Sequence, residues 1–147
     1  MAKVEKDFIK LTSDPLVLQD IVDLVKDDQA GAISTFCGTT RNTFEDKTVV
    51  RLEYESYIPM AEKEISTIIT DVRTKWQLMK VAVYHRLGIV PVGENSVIIA
   101  VSSVHRRESL KAVEWLIDTL KEKVPIWKKE IYNDGSSWKE NTKSKCC

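Results

Sequence analysis

The stretch that decides the fold is Ser96-Val97-Ile98-Ile99-Ala100-Val101-Ser102-Ser103-Val104. Its run from Val97 to Val101 is apolar at every position, and a strand that is apolar on both faces has to be covered on both. Downstream, Leu110, Val113, Ile117, Leu120 and Val124 recur at helical spacing, which predicts a helix from about Arg107 to Lys123. Pro125 stops it, and Ile126 to Tyr132 reads as extended. An Asp134-Gly135 turn precedes Trp138, and the polar stretch from Lys139 to Cys147 reads as a disordered tail.

Upstream, Phe8 to Leu11 is a short strand candidate, and Ser13-Asp14-Pro15 reads as a helix start ahead of Leu18, Ile21, Val22 and Val25. Gly31 to Arg41 alternates as a strand, Asn42 to Lys47 is polar and reads as a mobile loop, and Val49 to Tyr57 alternates again. Pro59 opens a helix whose apolar stripe is Ala61, Ile65, Ile68, Ile69, Val72 and Trp76. Met79 to His85 reads as a strand, followed by a turn region through Gly88, Pro91 and Gly93. The order is β-α-β-β-α-β-β-α-β. It predicts a mixed, mainly antiparallel sheet with three packed helices, an α/β (α+β) fold, in one domain over residues 1–140 with a tail at 141–147.

The chain has 147 residues, 43% hydrophobic and 30% charged, as expected of a folded domain able to build its own core. The 22 cations and 22 anions cancel, which excludes a polyanion binder that relies on excess positive charge. The balance is uneven: residues 1–30 carry 4 cations and 7 anions, residues 105–147 carry 10 and 7. Cys37, Cys146 and Cys147 form neither a disulfide framework nor a zinc motif, and no apolar stretch approaches a membrane span, so a cytosolic location is expected. With only His85 and His105, no metal site is expected, and no glycine-rich nucleotide motif suggests a cofactor.

Three segments carry candidate chemistry. His105-Arg106-Arg107 sits where a buried strand meets a helix, a place suited to anions, although taken alone the segment reads more simply as solvated arginines and a capping histidine. Lys121 lies at the edge of a helix's apolar face, and Lys128 shares a strand face with Glu130 while Lys129 points the other way with Trp127. Lys121 and Lys128 can thus converge on one pocket as acid/base groups or nucleophiles, the alternative being a solubilising basic patch. In Gly38-Thr39-Thr40-Arg41-Asn42, the glycine permits close approach and the hydroxyls and Arg41 suit an oxyanion. Cys37, in an apolar strand, reads as an inert core thiol.

Together GAISTFCGTTRN (31–42), SSVHRRESL (102–110) and LKEKVPIWKKE (120–130), with LEYESYIPMAEKEI (52–65) and HRLGIVPVGE (85–94), resemble the large, catalytic subunit of molybdopterin synthase over roughly residues 30–140. The resemblance implies a hammerhead-type α/β fold. It implies a homodimer that binds two small ubiquitin-like subunits, giving a heterotetramer. The small subunit's C-terminal thiocarboxylate would donate two sulfurs to cyclic pyranopterin monophosphate, forming the dithiolene of molybdopterin. By family position Lys121 is then the leading catalytic residue, with Lys128 its partner. Thr39, Thr40, Arg41, His105 and Arg106 would hold the substrate, with Lys129 and Glu130 in the same binding segment. No cysteine of this chain is required. A different class of function, a non-catalytic adaptor for a ubiquitin-like protein, would need charge but not lysine chemistry at 121 and 128.

Overall fold

A computed structural model of the chain describes residues 5–141. In chain order its elements are β1 (Asp7–Thr12), α1 (Leu18–Val25), β2 (Ala32–Thr39), β3 (Thr43–Phe44), β4 (Lys47–Ser56), α2 (Ile58–Lys75), β5 (Val81–Arg86), β6 (Gly88–Pro91), β7 (Asn95–Ser103), α3 (Arg106–Lys123), β8 (Ile126–Tyr132) and β9 (Ser137–Asn141). The apolar run is β7, an inner strand of a sheet ordered β1-β5-β7-β2. Among the described residues only the β1–β5 pair is parallel.

Both faces of β7 are covered, as its composition demands. Val97, Ile99 and Val101 join a core with Ile65, Ile68, Ile69 and Val72 of α2 and Leu116, Ile117 and Leu120 of α3. Ile98 and Ala100 face the other way, against Ile21 and Val25 of α1. A second sheet, ordered β3-β4-β8-β9 with β6 also on β4, adds Leu52, Tyr54, Val90 and Ile126 to the larger core. No helix among the described residues is long and apolar enough to cross a membrane.

Five details differ from the sequence reading. Ser13-Asp14-Pro15 does not start a helix: the Asp14 N–H donates to Thr12 Oγ1 in a turn that ends β1, and α1 begins at Leu18. The segment 42–47 is a β-hairpin, not a loop, its two-residue turn made by Glu45 and Asp46 at φ 47° and 65°. The 88–93 turn region contains β6, which pairs with β4. Leu110 is 57% exposed; Ser109 takes the inward position instead, its hydroxyl 2.7 Å from that of Ser34. Residues 139–141 belong to β9 and not to a tail. The rest of that stretch, 142–147 with Cys146 and Cys147, lies outside the described residues.

Candidate active site

Strand alternation builds the centre of the site. On β8, Lys128, Glu130 and Tyr132 face inward, while Trp127, Lys129 and Ile131 face outward. Lys128 and Glu130 are each only 2% exposed, and Lys128 Nζ lies 3.5 Å from Glu130 Oε1. Two such charges remain buried only as partners. The Tyr132 hydroxyl donates to the other carboxylate oxygen, Glu130 Oε2, at 2.7 Å. Burial first, and then the Glu130 carboxylate, push the Tyr132 phenol up to about 12.

Tyr54 stands directly across from Lys128 in the β4–β8 ladder. Its ring meets that of His85 edge-on, with centroids 4.9 Å apart. His85 is buried and its pKa falls to about 4, chiefly through desolvation, with the Lys121 charge adding to the drop. Its Nδ1 lies 2.8 Å from the Arg86 carbonyl, so a neutral ring carries its proton there. Lys121 therefore acts electrostatically on the same neighbourhood that Lys128 enters through Tyr54. Helix geometry explains the convergence. From Arg106 to Lys121, α3 runs back about 22 Å along the sheet it packs on, toward the end where β7 begins.

At that end the wall comes from β2 and the hairpin. Thr39, Arg41, Thr43 and Phe44 join Lys128 and Glu130 around a cavity of about 20 Å³, room for about one water. Arg41, Thr43 and Phe44 also line a wider groove of about 500 Å³ along the hairpin. Phe44 is stacked on Trp138 of β9, with centroids 5.8 Å apart. Lys47 Nζ sits 4.9 Å from the centre of the Tyr132 ring. Gly38 permits the close packing beneath: a Cβ there would lie 2.7 Å from Val97 Cγ1.

The structure thus gathers Thr39, Arg41, Lys128 and Glu130 in one place and sets Lys121 within electrostatic reach of His85. It separates the others. Thr40 is buried, its hydroxyl donating to the Val90 carbonyl at 3.4 Å, so it does not share a wall with Thr39. Exposure alternates from Gly38 through Thr39 to Thr40, so the two neighbouring threonines face opposite ways. Lys129 lies on the outer face of β8, as alternation predicts, away from the cavity. His105 and Arg106 are exposed and follow the far end of β7, where Ser103 pairs with Ala32. Thr39 pairs at the near end, with Asn95, so the length of β2, about 23 Å, lies between. His105 makes no side-chain cap of α3; Ser103 Oγ accepts from the Ser109 N–H at 3.1 Å instead.

Sequence reasoning missed Tyr54, His85, Phe44 and Tyr132. The signal for Tyr132 was present, since it follows Lys128 and Glu130 at the same two-residue spacing. Cys37 is a free cysteine whose pKa is raised by burial, in keeping with an unreactive thiol. Among the described residues no group of three His, Cys, Asp or Glu side chains is placed to hold a metal.

Comparison with known proteins agrees with this architecture. The MoaE protein family matches residues 11–123. The human molybdopterin synthase catalytic subunit is 57% identical over 136 residues, covering 92% of this chain and 72% of the relative. The crystal structure of molybdopterin synthase from Staphylococcus aureus superposes with a TM-score of 0.84 at 35% identity, covering 88% of this chain and 94% of that one. A chain from the complex of subunits 1 and 2 of molybdopterin-converting factor from Helicobacter pylori shares the fold, with a TM-score of 0.71 at 20% identity and 86% of each chain covered. The chain belongs to the MoaE protein family, that of the molybdopterin synthase catalytic subunits.

Proposed function

We propose that this chain catalyses the two sulfur transfers that convert cyclic pyranopterin monophosphate to molybdopterin, with the C-terminal thiocarboxylate of a small ubiquitin-like subunit as donor. The observation that carries the reading is the inward Lys128, held by Glu130 at 3.5 Å, in a small cavity that shares Arg41 with the groove along the hairpin. A fixed ammonium and a planar guanidinium suit a phosphorylated substrate. Lys121, half-buried, serves as acid/base near the thiocarboxylate. Lys128 and Arg41 orient the substrate, Thr39 lines its wall, and Glu130 holds Lys128. The groove of about 500 Å³ is of the size that takes a small ligand or a peptide tail.

His105 and Arg106 join this site only if a second copy of the chain presents them, because about 23 Å of strand separates them from Thr39 within one copy. Exposed Ile33, Val104 and Leu110 beside them give that flank the apolar surface a homodimer would cover. The assembly is then a homodimer with two small subunits, a heterotetramer, working in the cytosol with Cys37 reduced.

The test is Lys121→Arg, which keeps the charge. Turnover should fall about 100-fold while binding of the small subunit stays within about twofold. Full turnover in that variant would instead favour a docking role for the basic segment.

A further inference from the structure

We propose that Tyr132 is a positioning residue for Lys128, acting through Glu130; the proposal rests on Lys128 taking part in the reaction. Lys128, Glu130 and Tyr132 are the three inward residues at the end of β8, exposed by 2%, 2% and 6%. The carboxylate divides its oxygens between its neighbours. Oε1 faces Lys128 Nζ at 3.5 Å, and Oε2 accepts from Tyr132 Oη at 2.7 Å. The terminal torsion of a glutamate is broad and roughly twofold, so a partner on one oxygen alone leaves the carboxylate plane poorly fixed. A donor on the second oxygen fixes it, and with it the direction in which Lys128 is pulled.

Tyr132 is itself held from two sides. Lys47 of the hairpin sits over its ring at 4.9 Å, and the same ammonium reaches Ser136 Oγ at 3.5 Å and Asp134 Oδ2 at 3.8 Å. The Tyr132 N–H donates to the Ser136 carbonyl at 3.0 Å. The phenol, pushed up to about 12, keeps its proton and so remains a donor at neutral pH. A path of direct contacts thus joins the hairpin over the groove to Lys128. If the hydroxyl is removed, Oε2 becomes a buried acceptor without that donor, and the carboxylate turns to find another. The water-sized cavity beside Lys128 and Glu130 gives it room to do so.

The test is Tyr132→Phe in the full chain, assayed with the thiocarboxylated small subunit and cyclic pyranopterin monophosphate. The phenylalanine keeps the ring beneath Lys47 and removes only the donor. The expected result is a kcat about tenfold lower, with KM for the pterin within about twofold and a cooperative thermal transition retained. In a Glu130→Gln background the same substitution should add less than about twofold, because its route to Lys128 is already broken. Parental kcat in Tyr132→Phe, a full additive loss in the Glu130→Gln background, or loss of cooperative folding would each overturn the proposal. Lys128→Ala separates this failure from that of the underlying reading. If Lys128→Ala is inactive and Tyr132→Phe is normal, only the role of Tyr132 falls. If Lys128→Ala is fully active, the role of Lys128 itself falls.

Discussion

Lys128 and Glu130 share one face of a strand, 3.5 Å apart at their charged ends, in a setting that exposes 2% of each. Removing either member leaves the other charged and buried, which is costlier than losing the attraction alone. Lys128→Met and Glu130→Leu should each destabilise the fold by about 3 kcal/mol, and the double variant by less than the sum. Urea unfolding of the four chains measures this. Turnover should be lost in Lys128→Met and in the double variant and reduced in Glu130→Leu, which would separate the pair's chemical role from its contribution to stability.

His85 supplies a pH dependence whose sign is fixed. Its folded pKa of about 4 lies below the ordinary 6.5, so between these values the unfolded chain binds the extra proton. Above about pH 6.5 both states are neutral and the residue costs nothing. As pH falls from 6.5 to 5 it should remove roughly 2 kcal/mol of stability. His85→Phe keeps an aromatic ring beside Tyr54, and its urea midpoint should change less over that interval than the parent's.

Gly31 has a backbone neighbour that cannot give way cheaply. A Cβ at this position would lie 2.5 Å from the Val104 carbonyl oxygen, the same oxygen that accepts from the Gly31 N–H at 3.2 Å. Gly31→Ala should cost about 1–3 kcal/mol by pushing the β7–α3 corner outward. That corner carries His105 and Arg106, so their proposed role in holding substrate predicts a higher KM for the pterin in the folded variant.

Cys37 packs beside Ile98 and Ala100 with its pKa raised by burial. The proposed function takes its sulfur from a partner's thiocarboxylate, so Cys37→Ala should retain kcat within about twofold and lose only a core contact worth about 1 kcal/mol. A reconstituted assay with prior thermal melting distinguishes the two effects.

Legibility from sequence followed the strength of local periodicity. The run Val97–Val101 announced a strand covered on both faces, and the two-residue period from Lys128 to Glu130 placed those side chains together while sending Lys129 outward. The Glu45-Asp46 turn was hidden because a two-residue hairpin with left-handed backbone is usually marked by Asn or Gly. Polarity misled at the start of α3. Leu110 suits a core better than Ser109, but Ser109 bonds inward to Ser34 and Ser103. Thr39 and Thr40 read as a pair by residue type, yet strand alternation sets them on opposite faces, Thr39 exposed and Thr40 buried. His105 and Arg106 stood out for their chemistry, yet only the pairing of Ser103 with Ala32 and of Asn95 with Thr39 reveals that they occupy the far end of the sheet.

The most direct measurement mixes the purified chain with cyclic pyranopterin monophosphate and the thiocarboxylated small subunit, and quantifies dithiolene product against consumed donor. The account predicts molybdopterin with two thiocarboxylates consumed per pterin, and none when the donor carries an ordinary carboxylate. Absence of dithiolene in the complete mixture, or product formed without a thiocarboxylate, would contradict it.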